Sequence, residues 1–283
     1  MKDISVKALA KINLGLDVVR KREDGYHEVR MVMQTIHLFD RLEISKNTSG
    51  EITMETNLSF LPTNENNLVY KAAKLLQDEF AIKDGVHVWL HKYIPVAAGM
   101  AGGSTDAAAV LYGMNQIFDL GLTREELMER GVKIGADVPY CIMRGTALAE
   151  GIGEKLSKLP PMVKCPVLIA KPQISVSTKF VYENLKLGSD MVHPDIDRLV
   201  ADIREKDLYK IAADMGNVLE TVTIPAYPVI ADIKDHMMEH GAVNAMMSGS
   251  GPTVFGLFDK EATAVEAYEE MKASGLAKQV TDA

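Results

Sequence analysis

Two cysteines and one tryptophan in 283 residues set the first limits on this chain. Cys141 (Val-Pro-Tyr-Cys-Ile-Met) and Cys165 (Lys-Cys-Pro-Val-Leu-Ile) lie in apolar stretches, which predicts buried reduced thiols rather than a disulfide framework and fits the cytoplasm. Long hydrophobic runs are missing: no stretch approaches the roughly 20 residues needed to span a bilayer, and Met-Lys-Asp-Ile-Ser at the start lacks the apolar core of a secretion signal. Basic excess is missing too. Thirty-one Lys and Arg face 39 Asp and Glu, a net charge of −8, which argues against a nucleic-acid-binding surface and requires local donors for any anionic ligand. There is no internal repeat, no low-complexity tract and no dense carboxylate cluster of the kind that cages a divalent cation. A hydrophobic content of 47% and a charged content of 25% are those of a soluble globular protein, long enough for one large domain or two medium ones.

What is present centres on the run Pro95-Val96-Ala97-Ala98-Gly99-Met100-Ala101-Gly102-Gly103-Ser104-Thr105. A strand-like alternation (Val86, Val88, Leu90) leads into it. A helical spacing (Ala107, Val110, Leu111, Met114, Ile117, Phe118) leaves it. Gly99, Gly102 and Gly103 allow a backbone to curl closely, and Ser104, Thr105 and Asp106 are helix-starting residues. The unpaired amides and positive dipole end of the following helix then form a phosphate site, although Gly-Gly also marks purely structural turns. The run lacks the lysine of a G-x-x-x-x-G-K-[ST] loop, and it comes too late in the chain for a dinucleotide fingerprint.

Periodicity predicts two short strands around Ala8–Lys11, a polar turn at Arg20–Gly25, and strands over Val29–Leu38, Arg41–Ser45 and Glu51–Glu55. A helix capped by Asn66 follows, then a helix opened by the capping box Thr123-Arg-Glu-Glu126, and a strand over Gly145–Glu150. Leu159-Pro-Pro-Met162 is the candidate boundary, dividing the chain into 1–160 and 161–283. The second part reads as a strand (Pro166–Ala170), helices near Pro194–Arg204, Leu208–Val222 and Tyr227–His240, a strand pair (Val243–Met247, Thr253–Phe258) and a helix over Lys260–Ala273. The class is α+β with a largely antiparallel or mixed sheet in two lobes.

Three ordered segments carry a resemblance: Ala8-Leu-Ala-Lys-Ile-Asn-Leu-Gly-Leu16, the glycine run, and Met247-Ser-Gly-Ser-Gly-Pro-Thr253. Together they resemble the GHMP kinases. Ala10–Leu14, Asp24-Gly-Tyr-His27, Gly135-Ala-Asp-Val-Pro139 and Ala149–Gly153 narrow the match to the branch that phosphorylates an alcohol on a cytidine-diphosphate-bearing methylerythritol, in the non-mevalonate route to isoprenoid precursors. The resemblance runs from about Ser5 to about Phe258. It implies an N-terminal lobe like domain 2 of ribosomal protein S5, a ferredoxin-like C-terminal lobe, a site in the cleft between them, ATP as co-substrate and Mg2+.

The resemblance also assigns residues. Lys11 and Asn13 form a polar stripe on an apolar strand, and an exposed edge lysine is the bland alternative. Asp137, in an apolar helix–loop junction, reads from sequence as a cap or turn residue. The resemblance makes Lys11 the charge stabiliser, Asp137 the base that takes the hydroxyl proton, and Asn13 a substrate contact. It puts Asn67 and Leu68 near adenine and the whole run from Pro95 to Thr105 around ATP. Tyr26 and His27, with Thr178 and Tyr182, become the cytosine pocket. Ser248–Pro252 stands beside the site or is only a tight turn. Met100, Ala101 and the ending Gly-Gly-Ser-Thr are mild departures from the family run, and Val280–Ala283 stops short of an apolar last strand, which predicts a less closed edge. Two other readings stay open: another GHMP kinase acting on a small acid or sugar, and a non-catalytic ATP or metabolite sensor of the same fold. Oligomeric state is left open.

Overall fold

The alternation that begins near Ser5 does not break at Ala8–Lys11. It forms one strand, β1 (Asp3–Lys21), without a proline in it. A turn in which Gly25 N–H donates to Arg22 O (3.1 Å) and Gly25 takes φ +85° reverses the chain into β2 (His27–Asn47). With neither glycine nor proline to interrupt it, β2 absorbs both segments expected as separate strands. The computed structural model describes residues 3–188 and 191–282. Compactness groups residues 1–10, 37–96 and 101–144 in one unit and 11–36, 97–100 and 145–283 in another. This division differs from one at 160/161 because β1 and β2 each contribute to both units.

In the first unit, β3 (Ile52–Thr56) runs parallel to β4 (Gly85–His91), which pairs antiparallel with β2 from Arg41↔His91 to Asn47↔Gly85. Helix α1 (Leu68–Glu79) is capped one residue later than expected: Asn67 Oδ1 accepts from Val69 N at 2.9 Å. Helix α2 (Gly102–Ile117) is alanine-rich and buried along most of its length. It lies close on the sheet through Gly113, where a Cβ would come within 2.4 Å of Ile44 Cδ1. Its N-cap is Ala101 in the left-handed region, with no side-chain cap bond. Ser104, Thr105 and Asp106 therefore lie inside the helix rather than starting it. Helix α3 (Arg124–Val132) has the expected capping box between Thr123 and Glu126. Helix α4 (Val138–Met143) has no counterpart in the sequence reading; six apolar residues are too short for a periodic signal.

In the second unit, β5 (Thr146–Glu150) pairs antiparallel with β2 (Met31↔Ala149) and with β6 (Lys155–Lys158), a strand not expected. Then come β7 (Val167–Lys171), α5 (Thr178–Asn184), α6 (Ile196–Glu205) and α7 (Leu208–Asp214). The helix expected over Leu208–Val222 is interrupted by β8 (Gly216–Asn217), which pairs parallel with Gly15 and Leu16, before α8 (Glu220–Ala226) resumes. Glycine is required there: a Cβ at Gly216 would come within 2.7 Å of Pro194 Cβ. Next are α9 (Val229–Glu239), β9 (Asn244–Met247), β10 (Val254–Leu257), α10 (Glu261–Ser274) and β11 (Gln279–Asp282). The second sheet is antiparallel in the order β11-β7-β10-β9. Pairing of Val280 with Ala170 and of Thr281 with Ile169 corrects the expected open edge. Every residue of β1 from Lys11 to Val18 is buried. Gly15 permits this, since a Cβ there would lie 2.7 Å from Leu199 Cδ2 of α6. The mixed α+β class is the one expected.

Candidate active site

In the second unit β1 buries two polar side chains. Lys11 is 5% exposed and Asn13 is fully enclosed, and burial on this scale demands partners. Lys11 Nζ donates to Asn13 Oδ1 (2.6 Å) and to Gly99 O (2.9 Å), while Asn13 Nδ2 points to Met31 Sδ (3.6 Å). A solvated edge lysine is thereby ruled out. Gly99 O also accepts from Ser248 Oγ at 3.0 Å. Gly99 has φ +73°, and a Cβ on it would stand 2.1 Å from Ser248 O, so glycine is required on both counts.

The Ser248–Pro252 turn is therefore tied to the glycine run. Asn217 Nδ2 fastens it by donating to Met247 O and Gly249 O (both 2.8 Å). Ser250 Oγ and Thr178 Oγ1 share a hydrogen bond of 2.8 Å. Thr178 opens α5, and Tyr182 stands one turn further on. The Tyr182 ring centroid lies 5.0 Å from that of His27, with the planes tilted by 38°. These residues wall a cavity of about 530 Å³, lined also by Lys21, Tyr26, Ile152 and Lys179. Tyr26 is 62% exposed, with its amide donating to Asp24 Oδ1 (3.1 Å) and Arg22 gripping the same carboxylate (2.8 Å). Burial, and then the charge of Lys21, hold the His27 imidazole below its ordinary pKa. Near neutral pH it is uncharged, with one nitrogen donating and the other accepting.

In the first unit the start of α2 has the features of an anion site. Its first ladder bond runs from Thr105 N to Ala101 O (2.8 Å), so the amides of Gly102, Gly103 and Ser104 precede the ladder. No acidic residue lies in the first turn. Ala101, immediately before the helix, takes the left-handed conformation (φ 56°). Pro95 is buried, and Val96 and Gly103 are exposed; in the second unit Ala98 and Met100 are buried and Ala97 is exposed. Leu68 Cδ1 lies 3.5 Å from where a Cβ on Gly103 would be. The Asn67 amide is engaged at both ends, by Val69 N and by Pro62 O (2.8 Å), and so holds Leu68 in place. The Thr105 hydroxyl is spent on Leu9 O (2.8 Å). Ser104 Oγ lies 3.9 Å from a Cβ position on Gly135, which brings Gly135 beside it. Asp137, half-buried, precedes α4 without making a cap bond.

Residues 67–145 match the GHMP kinases N terminal domain, and residues 199–277 match the GHMP kinases C terminal domain. The 4-diphosphocytidyl-2-C-methyl-D-erythritol kinase of Lachnospira eligens is 58% identical over 280 residues, covering 99% of this chain and 97% of that one. The enzyme of the same name from Acetivibrio thermocellus is 51% identical over 97% of this chain and 96% of its own. The chain belongs to the 4-diphosphocytidyl-2-C-methyl-D-erythritol kinase family of GHMP kinases. A solved 4-(cytidine 5'-diphospho)-2C-methyl-D-erythritol kinase superposes with a TM-score of 0.84 at 29% identity, covering 99% of this chain and 98% of that one. Homoserine kinase from Cytophaga hutchinsonii shares the fold, with a TM-score of 0.81 at 21% identity over 100% of this chain and 94% of that one.

This GHMP kinase loop rests on a buried ion group that the sequence reading missed. Lys92, at the end of β4, donates to Asp106 Oδ2 of α2 (2.8 Å) and to Asp40 Oδ2 of β2. Asp40 Oδ1 accepts from the amides of Tyr93 and Ile94 (2.5 and 2.8 Å). All three side chains are buried, and Asp106 Oδ1 is enclosed without a hydrogen bond among the described residues. Burial raises the Asp106 carboxyl well above the ordinary carboxylate range, against the pull of Lys92. Lys92 itself is raised above its ordinary value because its two carboxylate neighbours outweigh burial. A charged residue on the apolar face of a helix is the signal that would have found the group: Asp106 lies one position before Ala107 and four before Val110.

Proposed function

We propose that the chain transfers the γ-phosphoryl group of ATP to the 2-hydroxyl of 4-diphosphocytidyl-2-C-methyl-D-erythritol. In this reading residues 1–160 supply the ATP loop and the catalytic residues, and residues 161–283 complete the substrate site. The observation that carries it is the polar path in the second unit. It passes from Lys11 through Gly99 and the Ser248–Ser250 turn to Thr178, and ends at the cavity walled by Tyr26, His27 and Tyr182. Cytosine needs a stacking face and a partner for its polar edge; the open Tyr26 ring and the neutral His27 supply both. Lys21 and Lys179 line the same cavity and suit a diphosphate.

Phosphoryl transfer requires positioning and charge neutralisation rather than covalent chemistry from the protein. Asp137 takes the hydroxyl proton and Lys11 steadies the developing charge. Asn13 holds the substrate side of Lys11 through their shared hydrogen bond. The loop amides and Ser104 bind the ATP phosphates, with Leu68 on the adenine side. Mg2+, when bound, neutralises phosphate charge. The hydroxyl oxygen of Ser104 suits a hard cation, and the remaining ligands would be phosphate and water. Among the described residues no helix is long and apolar enough to cross a membrane. Neither Cys141 nor Cys165 is in a disulfide, and burial raises the Cys165 thiol to about 11; we place the enzyme in the cytoplasm.

ADP release with the cytidine diphosphate substrate, against mevalonate and homoserine as controls, tests the assignment. Turnover is expected with the first alone. Equal turnover on either control would overturn it.

A further inference from the structure

Outside the proposed active site, the C-terminal turn of α9 carries three metal-ligating side chains on one face: His236, Glu239 and His240, spaced i, i+3 and i+4. One ligand atom of each lies within 4.8 Å of the others. Such spacing follows from helix geometry and is common; what distinguishes this group is the state of the two imidazoles. His236 is only partly exposed, and its Nε2 is enclosed without a hydrogen-bond partner among the described residues. A buried ring nitrogen left this way carries an uncompensated desolvation cost.

His240 Nδ1 lies 2.7 Å from the His236 carbonyl. A carbonyl can only accept, so Nδ1 holds the proton, and in the neutral ring the lone pair is on Nε2. A backbone carbonyl fixing the tautomer of a histidine is the usual support of a metal-binding imidazole. The two rings lie 4.2 Å apart between centroids, tilted by 32°. The group also sits at the carbonyl end of an 11-residue helix, where the dipole favours a cation.

We propose that His236, Glu239 and His240 form a site for a borderline transition-metal ion of the zinc class, with water completing the coordination. Two nitrogens and one carboxylate oxygen match zinc rather than magnesium, which takes oxygen ligands. Tetrahedral ligands at zinc bond lengths stand about 3.3 Å apart, so side-chain rotation would have to close the present spacing of up to 4.8 Å. The site is independent of the kinase assignment. It would clasp the last turn of α9 before the chain enters β9.

Titration of the intact protein with Zn2+, followed by calorimetry, is expected to give one ion per chain and a rise in Tm, because an ion that binds only the folded state stabilises it. His236→Gln and His240→Gln should each weaken this binding at least tenfold, and Cys141→Ser with Cys165→Ser should leave it unchanged. Cobalt(II) bound to the unaltered chain should show a visible ligand-field spectrum without a thiolate charge-transfer band, which covers the case of a histidine variant that misfolds. Absence of saturable binding, binding unchanged in both histidine variants, or a thiolate band on the bound cobalt would each overturn the site.

Discussion

Lys92 holds two carboxylates in a space that excludes water, and this makes substitutions there unequal. Lys92→Ala leaves Asp40 and Asp106 buried together without a cation, a loss worth roughly 3–5 kcal/mol. For a chain of this size that lowers Tm by on the order of 10 °C, measurable by calorimetry. Asp106→Asn should cost far less, because the amide keeps an acceptor for Lys92 and removes the like charge facing Asp40. The sign of the pH effect follows. A carboxyl with a raised folded pKa contributes stability that is fully present below the free value, 3.8, and is lost as pH rises toward the folded value. Melting wild type and Asp106→Asn side by side from about pH 4 to 8 should show wild type losing ground as pH rises; parallel curves would mean the carboxyl is not raised. For the chemistry, Asp137→Asn is expected to lower kcat by about 10²–10⁴ with the KM for ATP nearly unchanged; near-full turnover would remove Asp137 as the base. Lys11 and Asn13 were legible as residues because two polar side chains interrupt an apolar alternation. Lys92 was not, since a lysine ending a strand looks the same whether it faces water or a buried aspartate 14 residues away in sequence.

At the scale of the element, the two adjacent glycines of the loop separate two functions. A Cβ at Gly102 would stand 3.1 Å from Lys92 Nζ and 3.2 Å from Ile94 Cγ2, whereas at Gly103 it would meet only Leu68 Cδ1 at 3.5 Å. Gly102→Val should therefore lower Tm and weaken ATP binding together. Gly103→Val should weaken ATP binding about tenfold or more with Tm unchanged, by blocking close backbone approach. Ser104→Ala, which removes a single contact, should fall below both in nucleotide titration. Unaltered affinity in all three would mean that the loop does not hold ATP. The loop, the capping box at Thr123 and the strands β7, β9 and β10 could be read from sequence because glycine pairs, caps and apolar runs are local signals. The continuity of β1 and β2 could not, since it depends on partners far along the chain. Nor could the break at Gly216, where the chain pairs with Gly15 and Leu16, roughly 200 residues earlier.

For the whole molecule, the proposed role of the aromatic cavity is to decide which acceptor is taken. Tyr26→Ala is expected to raise the KM for the cytidine diphosphate substrate about ten- to a hundredfold, the value of one stacked base, and to leave the KM for ATP unchanged. Tyr182→Ala should do the same and also release His27, whose ring lies 5.0 Å away, whereas Tyr182→Phe should keep both faces. His27→Ala should narrow the preference for cytosine over uracil. A Tyr26→Ala enzyme with unchanged KM would return Tyr26 to an ordinary exposed turn.

Synthesis adds a consequence of the buried strand β1. Leu14, Leu16 and Val18 leave the ribosome early, but Gly216 and Asn217, which pair with Gly15 and Leu16, follow roughly 200 residues later. At about 5–20 residues per second that interval lasts on the order of 10–40 s. Throughout it an apolar strand has no native neighbour on that edge and is open to pairing with other nascent chains. Premature termination before Gly216 should therefore yield aggregates or chaperone-bound fragments rather than a working half-enzyme.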